Sequence, residues 1–231
     1  MLKIIKNKKI AIFDIDGTIF RSSLIIELTE TLVKYGIFPP IAEKEIERNF
    51  VLWKNRKGSY ENYINKVVEV YSRRIKRCAK KDIMEATRLV IKEQKNAVYV
   101  YTRELVKKLR RENFIVLAIS GSPEEIVGIF CRGWKFDKYF GTIFETKNGY
   151  YTGEVTALPV RNKKETLLKY ARDNKISLRG SIGVGDTESD VSFLEEVARP
   201  ICFNPNLNLY RIAKKRGWPV VVERKNVIYK I

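Results

Sequence analysis

Short runs of consecutive apolar residues alternate along the chain with longer segments in which apolar residues recur every three or four positions. The short runs predict buried β-strands, because each ends at the Gly, Ser or Asp residues typical of turns; they cover residues 9–15, 114–120 and 179–186. The longer segments predict amphipathic helices over residues 22–36, 60–95, 102–113 and 162–174. Strands that alternate with helices predict parallel βαβ units, and hence an α/β fold with a doubly wound, Rossmann-like parallel sheet.

The C-terminal part of the chain continues this alternation. Residues 142–155, TIFETKNGYYTGEV, predict a hairpin that turns at Asn148–Gly149, a pair that suits the backbone twist of a tight hairpin. Residues 187–198 predict a further helix. Two short strands, near 200–203 and 219–222, are expected to flank a last helix.

The segment between the first two strands has a different pattern. Residues 19–95 contain no convincing strand and predict a helical insertion placed directly after the first strand. We therefore expect two domains: a core formed by residues 1–18 and 96–231, and a helical cap formed by residues 19–95. One helix face of the insertion carries apolar side chains at spacings of three and four, which favours packing over binding: Tyr60, Tyr63, Ile64, Val67, Val68 and Tyr71.

Composition narrows the class of protein. The 231 residues, 45% of them hydrophobic, suffice for one domain with a sizeable core and a modest insertion. No apolar run approaches the roughly 20 residues of a membrane span, and the N-terminal segment lacks the pattern of a signal peptide. We therefore expect a cytoplasmic protein without a membrane partner. Three scattered cysteines and the lack of histidine argue against a Cys/His zinc site and against histidine-based catalysis.

The formal net charge of +18 is typical of proteins that bind nucleic acid. The excess is spread along the chain, apart from one dense cluster, RRIKRCAKK, over residues 73–81. We favour a solvated helix face as the interpretation of this cluster. A phosphate-rich or polymeric substrate, or nucleic acid itself, is the less favoured alternative.

Polar side chains stand where the predicted strands end. Asp14 and Asp16 follow the first strand, Ser120 ends the second, Asp186 ends the third, and Lys163 begins the helix that leads into the third. In a doubly wound sheet the carboxyl ends of the strands form the ligand-binding crevice, so these groups are expected to converge. Clustered carboxylates call for a cation, and ligation by oxygen alone favours Mg²⁺. A metal, a lysine, a hydroxyl and helix N-termini together favour a phosphate ligand.

Four segments in this order resemble the haloacid dehalogenase (HAD) superfamily of phosphohydrolases that use an aspartate nucleophile. DIDGT is similar to the first motif, ISGS to the second, Lys163 to the third and GVGDTESD to the fourth. The resemblance spans nearly the whole chain. The helical insertion is similar to the cap of the phosphoserine-phosphatase-like subgroup.

The resemblance implies a role for each of these residues. Asp14 would be the nucleophile that forms an aspartyl-phosphate, and Asp16 the general acid and then the general base. The Mg²⁺ ligands would be the Asp14 carboxylate, the Asp16 backbone carbonyl and the Asp186 carboxylate. Ser120, the Gly121 N–H and Lys163 would bind the phosphoryl oxygens, and Asp190 would support the metal or Lys163. Lys164 is the neighbouring alternative, but Lys163 has the spacing to Leu167 that the family shows.

We therefore expect an Mg²⁺-dependent phosphomonoester hydrolase that acts on a small phosphorylated metabolite. The alternatives are a phosphotransferase or phosphomutase of the same family, and a non-catalytic protein that binds phosphate or RNA on this scaffold.

Substrate specificity is expected to depend on the cap. The glutamate with which phosphoserine phosphatase grips its substrate's amine is replaced here by Ser23, so Arg21, Ser22 and Ser23 are the candidates for substrate contact. A net charge of +7 on residues 19–95 favours a polyanionic or carboxylated phosphoester.

Overall fold

The computed structural model describes residues 8–231 and contains an eight-stranded sheet. The predictions made for residues 1–7, as the start of the core and as part of a segment unlike a signal peptide, lie outside the described residues. The strands are β1 (Ile10–Phe13), β2 (Ile115–Pro123), β3 (Lys138–Lys147), β4 (Tyr150–Ala157), β5 (Ile182–Gly185), β6 (Arg199–Phe203), β7 (Val220–Arg224) and β8 (Val227–Lys230).

The order of the strands places a crevice at the middle of the sheet. The order is β4-β3-β2-β1-β5-β6-β7-β8. The six strands from β3 to β7 in this order pair in parallel, and the outer strands β4 and β8 pair antiparallel with their neighbours. The direction of winding reverses between β1 and β5, and the crevice at such a reversal is the usual ligand site. The predicted doubly wound α/β fold is confirmed.

Strand β1 lies at the centre because its side chains are apolar on both faces. Ala11 and Phe13 join the hydrophobic core on one side of the sheet, while Ile10 and Ile12 join a second core on the other side. All four residues are fully buried. A strand covered on both faces cannot shift its register without exposing apolar surface, so the end of β1 is a fixed point for the site.

Helices fill the chain between β1 and β2 and cover the faces of the sheet. They are α1 (Leu24–Lys34), α2 (Ile41–Lys54), α3 (Tyr60–Arg74), α4 (Lys80–Gln94), α5 (Val100–Arg111), α6 (Glu124–Gly133), α7 (Lys163–Asp173), α8 (Val191–Leu194) and α9 (Leu207–Arg216). The first four lie within the segment 19–95 that was predicted to be helical. Over residues 8–231, no helix is both long enough and apolar enough to cross a membrane.

The helix predicted over residues 187–198 is much shorter in the structure. A 3-10 turn covers Glu188–Asp190, and the single-turn helix α8 follows it. The side chain of Asp190 accepts a hydrogen bond from the Thr187 N–H at 3.0 Å, which closes the turn locally. The chain then turns over residues 195–198 and returns to the sheet, where the Arg199 N–H donates to the Ser181 carbonyl at the start of β6.

The predicted hairpin turn at Asn148–Gly149 is confirmed. Both residues have positive φ, +51° and +82°, as a two-residue turn of the twist-compatible type requires. Asn and Gly are the residues that adopt this conformation at least cost, which is why the pair was recognisable in the sequence.

Two glycines with open surroundings allow this argument to be tested. An added Cβ would meet nothing within 4 Å at either Gly149 or the helical residue Gly133, so only backbone conformation distinguishes them. Gly149→Ala is expected to lower the free energy of unfolding by about 1 kcal/mol, because an alanine at positive φ is strained. Gly133→Ala is expected to raise it by about 0.5–1 kcal/mol, because alanine favours a helix. Urea unfolding of both variants measures the difference, and changes of the same sign would contradict the assignment of the turn.

Candidate active site

Asp14 lies directly beyond β1, at the point where the sheet reverses its winding. Its N–H donates to the Val184 carbonyl at 2.9 Å, which ties the end of β1 to β5. The residue is 6% exposed, and its Oδ1 accepts a hydrogen bond from the Lys163 Nζ at 2.6 Å. A rigid strand therefore places the predicted nucleophile in the crevice.

Lys163 is the first residue of α7 and is 2% exposed. Its ammonium lies 2.6 Å from Asp14 Oδ1 and 2.6 Å from Asp190 Oδ1. Lys164 instead lies at the surface, where it pairs with Glu196 at 2.5 Å. Because the two adjacent side chains leave the helix in different directions, only Lys163 reaches the crevice.

Asp190 is fully buried and connects Lys163 to the loop after β5. Its Oδ1 accepts from Lys163, and its Oδ2 accepts from the N–H groups of Asp186 and Thr187 at 2.9 and 3.0 Å. Gly185 permits this close approach, since a Cβ there would lie 2.5 Å from the Asp190 Cβ. Of the two roles considered for Asp190, this geometry favours support of Lys163.

Asp186 is held from the opposite side by the loop after β1. The Thr18 hydroxyl donates to Asp186 Oδ1 at 3.1 Å, and the Thr102 hydroxyl donates to the Thr18 carbonyl at 2.9 Å. Gly17 has φ of +82°, and a Cβ on it would overlap Asp186 Oδ2. Thr18 was missed as a site residue, although it follows Gly17 within the quoted DIDGT motif.

Asp16 reaches the crevice from a turn and not from a continuation of β1. The Ile15 carbonyl accepts hydrogen bonds from the N–H groups of three following residues, which curls the chain after Asp14. Asp16 Oδ1 accepts from the Leu24 N–H at 2.6 Å, at the start of α1. Asp16 Oδ2 accepts from the Ser120 and Ser122 hydroxyls at 2.6 and 3.0 Å. Asp16 is thus bound to β2 and α1 and makes no hydrogen bond to Lys163.

The end of β2 is folded by its own polar groups. The Ser122 N–H donates to the Ser120 hydroxyl oxygen at 3.0 Å, and the Thr142 hydroxyl donates to the Gly121 carbonyl at 2.7 Å. These bonds fix the orientation of the peptide groups around Gly121. Ser122 was not predicted as a site residue; its hydroxyl also accepts from the Ile25 N–H at 3.1 Å, so it joins β2 to α1.

Burial dominates the electrostatics of the cluster. It raises the pKa of Asp14 to about 8 against the opposing charge of Lys163, with Asp190 and Asp16 adding to the increase. Burial likewise raises the pKa of Asp186, followed by the charges of Asp14 and Asp190. Burial lowers the pKa of Lys163, but the charges of Asp14 and Asp190 outweigh this effect and raise it, so the ammonium stays charged. The three carboxylates of Asp14, Asp186 and Asp190 outnumber the single ammonium of Lys163, so a further cation would be favoured at this cluster.

The donors around Asp14 fit a hard cation. One carboxylate oxygen each from Asp14, Asp186 and Asp190 lie within 4.8 Å of one another. Both carboxylate oxygens of Asp190 already accept hydrogen bonds, from Lys163 and from backbone N–H groups. Asp14 and Asp186 each accept a side-chain hydrogen bond at Oδ1, from Lys163 and Thr18, so their Oδ2 atoms are the better candidates for binding a cation. The missing Cβ of Gly17 leaves the side of Asp186 Oδ2 open. An oxygen donor set with excess negative charge suits Mg²⁺.

The three specificity candidates lie on the segment that leads from β1 to α1. Arg21 is exposed, and its guanidinium lies 5.7 Å from the ring centre of Tyr99. Ser22 is partly buried, and its carbonyl accepts from the Gly17 N–H at 3.1 Å. Ser23 is buried and precedes α1 without a side-chain cap. Of the three residues, Arg21 is the most exposed.

The basic cluster of residues 73–81 lies at the end of α3 and the start of α4. Arg73 and Arg74 both form ion pairs with Glu45 of α2. These two arginines therefore link α3 to α2, and Arg73 is also exposed to solvent.

Comparison with known proteins identifies a family and related folds. The family model of haloacid dehalogenase-like hydrolases matches residues 11–195. The chain is 26% identical over 221 residues to a histidinol-phosphatase of Neisseria meningitidis serogroup C (strain 8013). This alignment covers 93% of the chain and 98% of that protein. It is 25% identical over 205 residues to a phosphoserine phosphatase of Methanocaldococcus jannaschii, covering 86% of each. A solved phospho-aspartyl intermediate analogue of phosphoserine phosphatase shares the fold, with a TM-score of 0.64, 22% identity and 96% of each chain covered.

The protein belongs to the haloacid dehalogenase-like hydrolases, as the resemblance in the motifs predicted. It is a phosphatase of that family, since relatives that align over most of its length are phosphatases.

The contrast between the two adjacent lysines gives a direct test of the site. Lys163→Met is expected to lower the free energy of unfolding by about 3–5 kcal/mol, because it leaves buried carboxylates without their cation. Lys164→Met is the matched control and is expected to leave it nearly unchanged, because an exposed ion pair contributes little. Urea unfolding of both variants measures the difference. Equal losses would contradict the placement of Lys163 between Asp14 and Asp190.

Proposed function

We propose that this phosphatase hydrolyses small phosphomonoesters with the aid of Mg²⁺ and through an aspartyl-phosphate on Asp14. The observation that carries the proposal is the convergence of Asp14, Asp16, Lys163 and Asp186 at the reversal of the sheet. Phosphoryl transfer depends mainly on positioning and on positive charge spread around the phosphate, which this arrangement supplies.

The metal would be held by the carboxylates of Asp14 and Asp186 together with the Asp16 backbone carbonyl. When bound there, Mg²⁺ would neutralise Asp14 and the phosphate sufficiently for the two anions to approach. Burial raises the pKa of both carboxylates, so a cation bound beside them would stabilise their charged forms.

In the first half of the reaction, an Asp14 carboxylate oxygen attacks phosphorus in line with the ester oxygen. The P–O ester bond breaks, and the proton carried by Asp16 passes to the leaving alkoxide, which departs as the alcohol. Lys163, held by Asp14 and Asp190, stabilises the negative charge on the transferring oxygens, together with the Ser120 hydroxyl and the Gly121 N–H.

In the second half, water attacks the phosphorus of the acyl phosphate. Asp16 accepts the proton of that water, the bond between phosphorus and Asp14 breaks, and inorganic phosphate leaves with the free Asp14 carboxylate restored. The bonds of Asp16 to Leu24, Ser120 and Ser122 orient its carboxylate for both transfers. The two aspartates then differ in role because they differ in environment, one against an ammonium and one against hydroxyls.

The four helices α1–α4 would act as a cap that selects the leaving group, with the core and the cap divided as the sequence predicted. Their contact with the reaction site is at the start of α1, where the N–H groups of Leu24 and Ile25 bond to Asp16 and Ser122. The two curated relatives are named for histidinol phosphate and for phosphoserine, which are both small phosphomonoesters. We therefore place the substrate in that class, with Arg21, Ser22 and Ser23 as candidate contacts.

Loss of the nucleophile should stop the reaction. Asp14→Asn is expected to lower phosphate release from an aryl phosphate by at least about 10³-fold, because an amide oxygen is a poor nucleophile and only the binding groups remain. Asp173→Asn, an exposed aspartate at the end of α7, is the matched control. The assay is release of inorganic phosphate with Mg²⁺. Substantial activity in Asp14→Asn would contradict the assignment, and alkyl phosphate formed from an added alcohol in place of inorganic phosphate would indicate a phosphotransferase.

Metal dependence can be read both from activity and from stability. EDTA is expected to abolish phosphate release, and Mg²⁺ at a hundred times its dissociation constant should add about 2.7 kcal/mol of stability to the folded protein. The shift in melting temperature should be small in Asp186→Asn, which loses one charged ligand. Thermal melts with and without Mg²⁺ provide the measurement. A shift of the same size in Asp186→Asn would place the bound ion elsewhere.

A further inference from the structure

The hairpin of β3 and β4 is hydrogen-bonded to the segment that connects α3 to α4. The Arg77 N–H donates to the Tyr151 carbonyl at 2.8 Å, and the Tyr151 N–H donates to the Cys78 carbonyl at 3.0 Å. The Lys80 N–H then donates to the Gly149 carbonyl at 2.8 Å. These bonds join the turn of the hairpin to the start of α4, so the surface between the two has a fixed shape.

A groove of about 630 Å³ lies where the hairpin turn meets α4. Tyr150 of the hairpin and Met84 of α4 line it, together with three cationic residues: Lys80, Lys81 and Arg88. All three cationic residues are exposed, and Tyr150 is 55% exposed. The first groove therefore combines an accessible aromatic ring with ammonium and guanidinium groups.

A second groove, of about 590 Å³, lies between α5 and the turn that follows α6. Trp134 lines it, together with four cationic residues: Lys107, Arg110, Arg111 and Lys135. Glu104 also lines this groove, but its carboxylate pairs with Lys107 at 2.9 Å. The second groove thus repeats the composition of the first, with an aromatic ring among cations.

Helix α4 connects the two grooves. Lys81, Arg88 and Lys95 are each seven residues apart, so they recur on one face of the helix at intervals of about 10 Å. Lys95 keeps helical backbone angles at the end of α4, and its carbonyl accepts a hydrogen bond from the Trp134 indole N–H at 3.0 Å. The face that begins in the first groove therefore ends beside the aromatic residue of the second.

The cations along this route are available to a ligand. Within residues 8–231, six of them form no ion pair: Lys80, Lys81, Arg88, Lys95, Arg111 and Lys135. Glu85 lies beside the basic face of α4 and offsets part of its charge, whereas Asp82 and Glu93 lie about a third of a turn further round the helix. The route is therefore positively charged from one groove to the other.

A positive path with an aromatic ring at each end suits single-stranded nucleic acid. The phosphates of such a strand pair with cations, while its unpaired bases stack on aromatic side chains. A duplex keeps its bases stacked on one another, away from such rings. A lipid bilayer presents a broad, flat surface, which would not enter the two grooves.

We propose that the two grooves and the face of α4 between them, which we call the α4 track, bind single-stranded nucleic acid. The basic cluster of residues 73–81 contributes its last two lysines to the track, whereas Arg73 and Arg74 pair with Glu45. The inference goes beyond the proposed function and does not depend on it, because the track shares no residue with the candidate active site.

Two variants with equal net charge separate the track from the general excess of positive charge. The track variant neutralises three cations of α4: Lys81→Gln, Arg88→Gln and Lys95→Gln. The control variant neutralises three exposed lysines of α7 and α9: Lys169→Gln, Lys214→Gln and Lys215→Gln. The control helices pack on the opposite face of the sheet from α4.

Binding would be measured by fluorescence anisotropy with a 3′-labelled oligouridylate of about 12 nucleotides. Its 5′ end is a hydroxyl, so it offers no phosphomonoester to the candidate active site. Six phosphate contacts predict a slope of log K against log salt of about −4, and the track variant should lower this slope to about −2. The track variant should bind at least about tenfold more weakly at low salt, and the control variant within about threefold of wild type.

Replacement of Tyr150 tests whether bases as well as phosphates are bound. Tyr150→Ala and Tyr150→Leu are expected to weaken binding of the oligouridylate by about fivefold or more, because a base loses its stacking partner. Inorganic polyphosphate has no bases, so its affinity, measured by competition, should change less than about twofold. Tyr150→Leu keeps apolar bulk at the position, and Tyr229→Ala, at an exposed tyrosine on β8, is the matched control.

Equal losses in the track and control variants would overturn the inference, because binding would then follow net charge alone. A duplex of the same length, or vesicles of phosphatidylcholine and phosphatidylserine, bound as tightly as the single strand would also overturn it. So would an unchanged affinity for the oligouridylate in both Tyr150 variants. Failure of the protein to hydrolyse an aryl phosphate would reject the proposed function and leave these binding measurements unaffected.

Discussion

A single buried ammonium group holds the candidate site together. Lys163 lies between the carboxylates of Asp14 and Asp190, and Asp190 continues the connection to the backbone beside Asp186. Three chain segments, at the ends of β1 and β5 and at the start of α7, therefore meet at one cation. Burying these charges costs free energy that only close geometry and further hydrogen bonds offset. The arrangement is thus better understood as a device for positioning groups than as a source of stability.

The same burial explains why two aspartates two residues apart would do different chemistry. Asp14 is buried against the ammonium of Lys163, whereas Asp16 accepts hydrogen bonds from serine hydroxyls and from the start of α1. Separate partners keep each carboxylate in its own orientation, although the chain joins them closely. Because the first N–H group of α1, that of Leu24, donates to Asp16, the helical segment is connected directly to the reaction site. A cap that selects the leaving group would then act next to the group that protonates it.

Much of this could be predicted from the sequence, because the features concerned are local. The buried strands, the Asn148–Gly149 turn and the polar residues at strand ends depend on short-range patterns, and the four motifs pointed to the family. The helix predicted over residues 187–198 is longer than the helix in the structure. Its apolar residues have helical spacing, but the chain must turn back to reach β6 at Arg199, and spacing alone does not show this.

The residues that the sequence did not reveal act through the fold. Thr18 and Ser122 bond to Asp186 and Asp16 across the sheet, and neither spacing nor composition shows such a contact. Lys163 and Lys164 are likewise identical residue types at adjacent positions. They differ in the direction in which their side chains leave α7, because Lys163 reaches Asp14 and Lys164 reaches Glu196.

In the proposed reaction, Asp14 carries the phosphoryl group. The most direct test is to react Asp16→Asn with an aryl phosphate and Mg²⁺, since loss of the base should slow hydrolysis of the intermediate, then quench in acid and reduce with borohydride. Reduction converts an aspartyl-phosphate into homoserine, which peptide mass spectrometry locates. Homoserine is expected at position 14 after reaction with substrate, and none is expected without it. Homoserine at another aspartate, or an unmodified Asp14 in a sample that has released the aryl alcohol, would contradict it.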